Sequence, residues 1–194
     1  MFIWGGSGTG KTIVALEILK TKVSHFKWNE KPVKVIVTQY GGGENDETPL
    51  KENMKRQLIN VKKEVISLQK LCIQHGVDYN EKQRHPKDLL NEITQALGAF
   101  YSDSDHHVLF LCDEVPACTS GGQTSADWRD VSTPANVTWI YSIKPESDML
   151  ILDMNDFTPP TNNEKILTKK LLHSHRNSYQ IRSVSTKCIF KYKH

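Results

Sequence analysis

The sequence lacks any apolar run that approaches the roughly 18 to 20 residues of a membrane-spanning helix. The four residues before the first glycine are too short for a signal peptide, so we expect no leader that directs secretion. We therefore expect an intracellular protein, cytoplasmic or nuclear, that does not act at a membrane.

Cysteine is scarce and irregularly spaced. The four cysteines form no CxxC pair, which argues against a zinc module and against a disulfide framework. We expect them to be reduced, with Cys112 in the core. The sequence also shows no internal repeat and no low-complexity linker, and 194 residues allow one domain with a sizeable core, or one domain and a piece of another.

A glycine-rich loop stands at the start of the chain, in MFIWGGSGTGKT. It fits the pattern G-x-x-x-x-G-K-[ST], in which glycines let the backbone fold around a polyphosphate and aim its N–H groups inward. The lysine supplies a charge for the β- and γ-phosphates, and the threonine offers a hydroxyl to Mg²⁺. The residues that we expect to bind the nucleotide are Gly5, Gly6, Ser7, Gly8, Thr9, Gly10, Lys11 and Thr12.

The flanks of this loop fit a strand followed by a helix. Phe2-Ile3-Trp4 is typical of a strand end, and a helical apolar pattern follows Lys11. The residues that we expect on the buried face of this helix are Ile13, Val14, Leu16, Ile18, Leu19 and Val23. The alternative interpretation is a chance glycine turn.

Four further segments show secondary-structure patterns. Val33 to Gln39 is a β-branched run typical of a buried parallel strand. A helix is predicted over Leu50 to Ile59. Residues 64–68 either continue it or, as we prefer, form a short strand before a helix over residues 69–75. Pro86 to Tyr101 is predicted to be a helix.

A second motif that carries chemistry is HHVLFLCDEVP. Here the apolar strand Val108 to Cys112 delivers two acidic residues at its carboxyl end. In P-loop enzymes an aspartate at this place holds Mg²⁺ through water, and the next acid polarises the attacking water. We expect Asp113 and Thr12 to be the metal site and Glu114 the catalytic base; the alternative is that the two acids only cap the loop after a core strand.

The two motifs together predict the fold class and the nucleotide. A doubly wound α/β fold, with a mostly parallel sheet and flanking helices, would bring both motifs to the carboxyl edge of its strands. A glutamate directly after the aspartate is typical of the additional-strand ATPases rather than of GTPases. No D-x-x-G and no N-K-x-D motif of a GTPase is present in the sequence, so ATP is favoured over GTP. Asn136 to Lys144 would be a strand that enters between the two motif strands. It could carry Ser142 toward the γ-phosphate, although an ordinary strand-end serine is the alternative.

The order of the motifs resembles the UvrD-like superfamily 1 helicases and their Schlafen-type relatives, which are RecA-like P-loop NTPases. ILTKKLLHSHRNSYQI is similar to the segment that opens their second RecA-like lobe, with a short amphipathic helix before an arginine. The resemblance implies that Arg176 is an arginine finger, which reaches the γ-phosphate across the cleft. Val37-Thr38-Gln39 and Ser67 to Cys72 resemble motifs that bind the nucleic-acid backbone.

The resemblance also implies a division of the chain. Residues 1–160 would form the RecA-like ATPase core of a first motor domain. Residues 161–194 would be a basic segment that starts a second lobe, the remainder of which is missing from this chain. The segment from residue 165 onward holds eight Lys or Arg and no Asp or Glu, which leaves 17 of the 25 basic residues against all 22 acidic ones in the rest. Such a basic end is typical either of a nucleic-acid contact or of a plain solvated face.

From these observations we expect a helicase-like domain that binds ATP and Mg²⁺, hydrolyses ATP weakly because it is incomplete as a motor, and acts with single-stranded DNA or RNA. Two alternatives stay open. One is a signalling ATPase in which nucleotide binding is the output. The other is a non-catalytic nucleotide-binding remnant.

Overall fold

The computed structural model describes residues 1–5, 8–28, 32–41, 56, 63–80, 85–116, 133–144 and 168–171. In chain order the elements are β1 (Phe2–Gly5), α1 (Lys11–Trp28), β2 (Val33–Gln39), β3 (Lys63–Val65), α2 (Leu68–Gln74), α3 (Pro86–Phe100), β4 (His107–Pro116), β5 (Val137–Lys144) and β6 (Thr168–Leu171). Among these residues no helix has the length and apolarity that crossing a lipid bilayer requires.

The six strands form one sheet in the order β3-β2-β4-β5-β1-β6. All five neighbouring pairs are parallel. Helix α1 packs on one face of the sheet, and α2 and α3 pack on the other. This arrangement confirms the predicted fold class, a doubly wound α/β fold with a parallel sheet and flanking helices. It also confirms that β5 enters between β1 and β4, the strands that carry the two motifs.

Each face of the sheet has its own apolar core. The core under α1 contains Leu16 and Leu19 of the helix with alternate residues of the strands, such as Leu109 and Leu111. The core under α2 and α3 contains the strand residues that point to the other face of the sheet, such as Phe110 and Cys112. The central parts of these strands are covered on both faces and have no solvent side, which explains why Val35–Val37 of β2 and Val108–Cys112 of β4 are continuous apolar runs rather than alternating ones.

The helices on the second face begin and end with clear local signals. The Ser67 hydroxyl accepts a hydrogen bond from the Lys70 N–H and starts α2. Gly76, with φ 68°, follows the end of that helix, and the Val77 N–H closes its last turn on the Cys72 carbonyl at 2.9 Å. The preferred interpretation, a short strand followed by a helix, is thus confirmed, but the bounds differ: the strand is Lys63–Val65 rather than 64–68, and the helix is Leu68–Gln74 rather than 69–75.

The helix predicted from Pro86 to Tyr101 is confirmed as Pro86–Phe100, and Pro86 occupies its first turn. Its inward residues are buried as predicted, namely Leu89, Leu90, Ile93 and Leu97. The helix predicted over Leu50 to Ile59 lies outside the described residues, apart from Arg56.

Two predictions about local structure are wrong. Ile13 is 59% exposed, because the buried positions of α1 recur at residues 15, 16, 19 and 23 and leave residue 13 outside that stripe. Thr168–Leu171 is a strand rather than part of an amphipathic helix. It pairs with β1, whose outer edge would otherwise leave its backbone N–H and C=O groups without a ladder, so tertiary pairing outweighs the local apolar pattern.

Candidate functional site

The glycine-rich loop joins the end of β1 to the start of α1. Gly8 and Gly10 have φ values of 74° and 85°, which disfavour side chains, so the pattern of glycines follows from the backbone path. Helix α1 begins at Lys11 and carries no acid in its first turn, so the positive end of the helix dipole is not neutralised there. The loop therefore has the features of an anion-binding helix N-terminus.

Lys11 lies across this loop rather than in solvent. Its side chain is buried, and its Nζ donates a hydrogen bond of 3.1 Å to the carbonyl oxygen of Gly5, at the end of β1. Thr9 is buried as well. The ammonium group is thus held inside the loop, next to the backbone that would surround a bound anion.

Thr12 connects the loop to the second motif. Its Oγ1 donates a hydrogen bond of 2.8 Å to Oδ2 of Asp113 on β4, 101 residues away in the sequence. Asp113 is only 2% exposed, and among the described residues its other oxygen, Oδ1, has no hydrogen-bond partner. A hydroxyl and a buried carboxylate with one unpaired oxygen fit the hard oxygen ligands that Mg²⁺ prefers.

A β-bulge positions the two acidic residues. Cys112 pairs with Tyr141 of β5 and Val115 pairs with Ile143, so Asp113 and Glu114 together oppose the single residue Ser142. Glu114 has φ 57°, in the left-handed region. Cys112 and Val115 both belong to the core under α2 and α3, although residues three apart in a regular strand lie on opposite faces. The bulge therefore puts both acids between two inward residues of that core.

The neighbours of the bulge are also ordered. The backbone N–H of Tyr40, just after β2, donates to the carbonyl of Asp113 at 2.9 Å and fixes the bulge from the other side. Burial, and then the nearby Asp113 carboxylate, raises the pKa of the Cys112 thiol well above its ordinary value. Cys112 is therefore a neutral core residue and not a nucleophile, although it adjoins the acids.

The sequence-predicted site residues thus divide into two groups. The structure brings together Gly5, Gly8, Thr9, Gly10, Lys11, Thr12, Asp113 and Glu114, at the carboxyl edge of β1 and β4. Gly6, Ser7 and Arg176 lie outside the described residues. The sequence did not predict the bulge or the Tyr40 hydrogen bond, because both depend on which strands are neighbours and in which register.

The comparisons with known proteins find similarity among solved structures. No protein-family model matches the chain, and no curated protein matches its sequence. Among solved structures, it is similar to the crystal structure of Pif1 helicase from Candida albicans, with 15% identity and a TM-score of 0.41. The alignment covers 95% of this chain and 39% of that one, so the chain spans about two fifths of its length.

Proposed function

We propose that this chain binds Mg²⁺-ATP in the glycine-rich loop and hydrolyses it as a helicase-like ATPase domain. The observation that carries the proposal is the hydrogen bond from Thr12 to Asp113. It joins the residue that ends the phosphate-loop pattern to the acidic strand end 101 residues later, as a shared metal site requires. Two unrelated chance motifs would have no reason to meet.

Lys11 supports phosphate binding. Its ammonium is held by a neutral carbonyl, at 3.1 Å from Gly5, and a phosphate oxygen is a stronger acceptor for a cation than a carbonyl is. We infer that Lys11 moves to the β- and γ-phosphates when a nucleotide enters. The backbone N–H groups of the first turn of α1 would bind the same phosphates.

The metal and the two acids complete the proposed site. Thr12 and Asp113 would hold Mg²⁺, which when bound neutralises charge that develops on the phosphates. Glu114 would orient a water and accept its proton, since the bulge separates it from the core. Arg176 would supply a further positive charge at the γ-phosphate.

Thr12 and Asp113 provide the test of this proposal. The affinity for a non-hydrolysable ATP analogue is measured by calorimetry with Mg²⁺ and with a chelator, for the parent, Thr12→Val and Asp113→Asn. We expect a gain in affinity with Mg²⁺ in the parent, and a loss of most of that gain in both variants. Affinity without the metal should change little, because Lys11 and the backbone remain.

The matched control is Thr21→Val on the same helix, where the Thr21 hydroxyl donates to the Glu17 carbonyl at 2.9 Å and is remote from the loop. This variant should keep the Mg²⁺-dependent gain in affinity that the parent shows. Binding that is absent in the parent would reject the proposal. Binding without turnover would favour a nucleotide-dependent signalling switch or a non-catalytic remnant.

We further propose that the domain acts with single-stranded nucleic acid. The support is the charge count of the segment from residue 165 onward, with eight basic and no acidic residues. Cations in such number attract a polyphosphate strand irrespective of its base sequence. A complete motor needs a second RecA-like lobe, and we propose that this domain acts together with one.

A further inference from the structure

Ser142 is a buried polar residue that the roles above do not use. Its side chain is fully buried, at 0% exposure, and its Oγ has no hydrogen-bond partner among the described residues. A buried hydroxyl without a partner is costly, by roughly 1 to 3 kcal/mol, so the presence of this serine in β5 asks for an explanation.

The strand register puts Ser142 on the side of the sheet that faces α1. Its neighbours Tyr141 and Ile143 belong to the core under α2 and α3, and Tyr141 is hydrogen-bonded to Thr94 of α3 at 2.7 Å. Side chains alternate along a strand, so Ser142 points the other way, as Ile140 does. That is the side on which Thr12 reaches Asp113.

Ser142 also lies opposite the acidic bulge. The paired positions on each side of it are Cys112 with Tyr141 and Val115 with Ile143, so Asp113 and Glu114 are its cross-strand neighbours. On its other side, β1 pairs Ile3 with Ser142, immediately before the glycine-rich loop. Ser142 is therefore between the two motif strands, at the level of the site.

Two unpaired buried oxygens thus share this side of adjacent strands. They are Oγ of Ser142 and Oδ1 of Asp113. A carboxylate oxygen can only accept, and a hydroxyl can both donate and accept. A water molecule between them would donate to Asp113 and accept from Ser142, and buried waters occupy such sites when two to four polar partners are available.

We propose that Ser142 is a positioning residue of the nucleotide site, which together with Asp113 Oδ1 holds an ordered water beneath the glycine-rich loop. The inference rests on the proposed function, because its consequence is a better oriented Asp113 carboxylate for Mg²⁺. Ser142 touches neither phosphate nor metal in this account. It acts through the water and Asp113.

The test uses two measurements on Ser142→Ala, neither of which depends on turnover. The first is the gain in affinity for the non-hydrolysable ATP analogue that Mg²⁺ produces. We expect this gain to fall about two- to tenfold, the effect of losing one hydrogen bond, with metal-free affinity unchanged. The second is the melting temperature without nucleotide. We expect it to stay within about 2 °C of the parent, because the Ser142 hydroxyl has no hydrogen-bond partner among the described residues, so its removal breaks no bond between those protein groups; a loss of 1 kcal/mol would shift a chain of this size by roughly 2 to 4 °C.

Thr94→Val is the matched control. Thr94 lies on α3, which packs on the face of the sheet opposite to α1. Its buried hydroxyl has two partners, the Tyr141 hydroxyl of β5 at 2.7 Å and the Leu90 carbonyl at 2.6 Å. We expect a lower melting temperature and an intact Mg²⁺-dependent gain, which is the reverse of the result for Ser142→Ala.

The outcomes separate the two proposals. If Ser142→Ala keeps the Mg²⁺-dependent gain in affinity while Thr12→Val loses it, only the proposed role of Ser142 is overturned. A fall in melting temperature as large as that of Thr94→Val assigns Ser142 a structural role and also overturns the inference. A parent that binds no nucleotide rejects the proposed function and the inference together.

Discussion

Cys112 and Val115 of β4 lie on the same side of the sheet, although two residues separate them and a regular strand would turn them to opposite faces. The two intervening residues, Asp113 and Glu114, oppose a single residue of β5. A bulge of this kind re-aims side chains without disturbing the core on either side, and bulges are frequent next to active sites. The acidic pair is thus a local insertion into an otherwise continuous apolar strand.

The first prediction concerns the proposed base. Glu114→Gln should leave the affinity for Mg²⁺-ATP within about twofold of the parent and lower any ATP hydrolysis by a factor of about 10² or more, because an amide keeps the shape but cannot accept a proton. Phosphate release under saturating ATP measures this. Unchanged turnover in the variant would show that another group activates the water.

The second prediction concerns the bulge itself. Deleting Glu114 should leave a regular ladder in which Cys112 and Val115 face the core and Asp113 faces the other side of the sheet. It also removes a residue at φ 57°, a conformation that costs non-glycine residues about 1 to 2 kcal/mol. The deletion variant should therefore fold and unfold with at least the parent's stability, while hydrolysis is lost.

Deletion of Leu111 is the control for this variant, because it removes one residue from the regular part of the same strand and turns everything after it to the wrong face. We expect that variant not to fold. If chemical denaturation shows the Glu114 deletion to be as damaging as the control, the bulge is part of the core and not an insertion.

The sheet was predictable from the sequence where burial dictates composition. The strand Val33–Gln39 has the predicted bounds, and its central run Val35–Val37 is apolar because it is covered on both faces of the sheet. The position of β5 between the motif strands was predictable too, because a glutamate after the aspartate indicates a class of ATPases with that additional strand.

Other features depend on contacts that a single sequence does not encode locally. The bulge is a property of the pairing between β4 and β5, so nothing in CDEV alone distinguishes it from a regular strand end. The strand Thr168–Leu171 forms against the edge of β1, far away in sequence. Ile13 is apolar yet exposed, because its place on the helix, not its hydropathy, decides its burial.

The third prediction concerns alkaline pH. Burial raises the pKa of Tyr141 above its ordinary value of 10.0, against the opposing effect of its hydrogen bond with Thr94. A group whose pKa is higher in the folded state contributes stability that is present below its unfolded pKa and is lost as the pH rises above it. From pH 9 to pH 11 the parent should therefore lose about 1.4 kcal/mol more than Tyr141→Phe, which has no phenol to ionise. The free energy of unfolding is measured in urea at both pH values, and an equal loss in the parent and in Tyr141→Phe would contradict this.

The fourth prediction concerns nucleic acid. The chain should bind a labelled single-stranded oligonucleotide in a fluorescence anisotropy assay, with little base preference and with an affinity that falls steeply as salt rises. Eight cations in the segment from residue 165 onward set an upper limit of about 6 on the magnitude of the slope of log K against log salt, at about 0.7 per phosphate.

Neutralising three residues of that segment, Lys187, Lys191 and Lys193, to Gln should reduce the slope by about 2. The same change at Lys20, Lys22 and Lys87, which lie on α1 and α3 and outside the two motifs that resemble nucleic-acid contacts, should reduce it less. Equal effects of the two triple variants would assign the binding to net charge, and no binding at low salt would leave the segment as a solvated surface.

The central claim is that the glycine-rich loop binds a nucleotide through its phosphates, and Lys11 tests it most directly. Calorimetric titration of ATP with Mg²⁺ should show binding to the parent and a loss of about tenfold to a hundredfold or more in Lys11→Ala, because a buried hydrogen bond from a charged group contributes roughly 1.5 to 3 kcal/mol. Lys20→Ala, which breaks only the surface ion pair with Glu17 on the same helix, should bind as the parent does. Equal affinities of the parent, Lys11→Ala and Lys20→Ala would contradict the account.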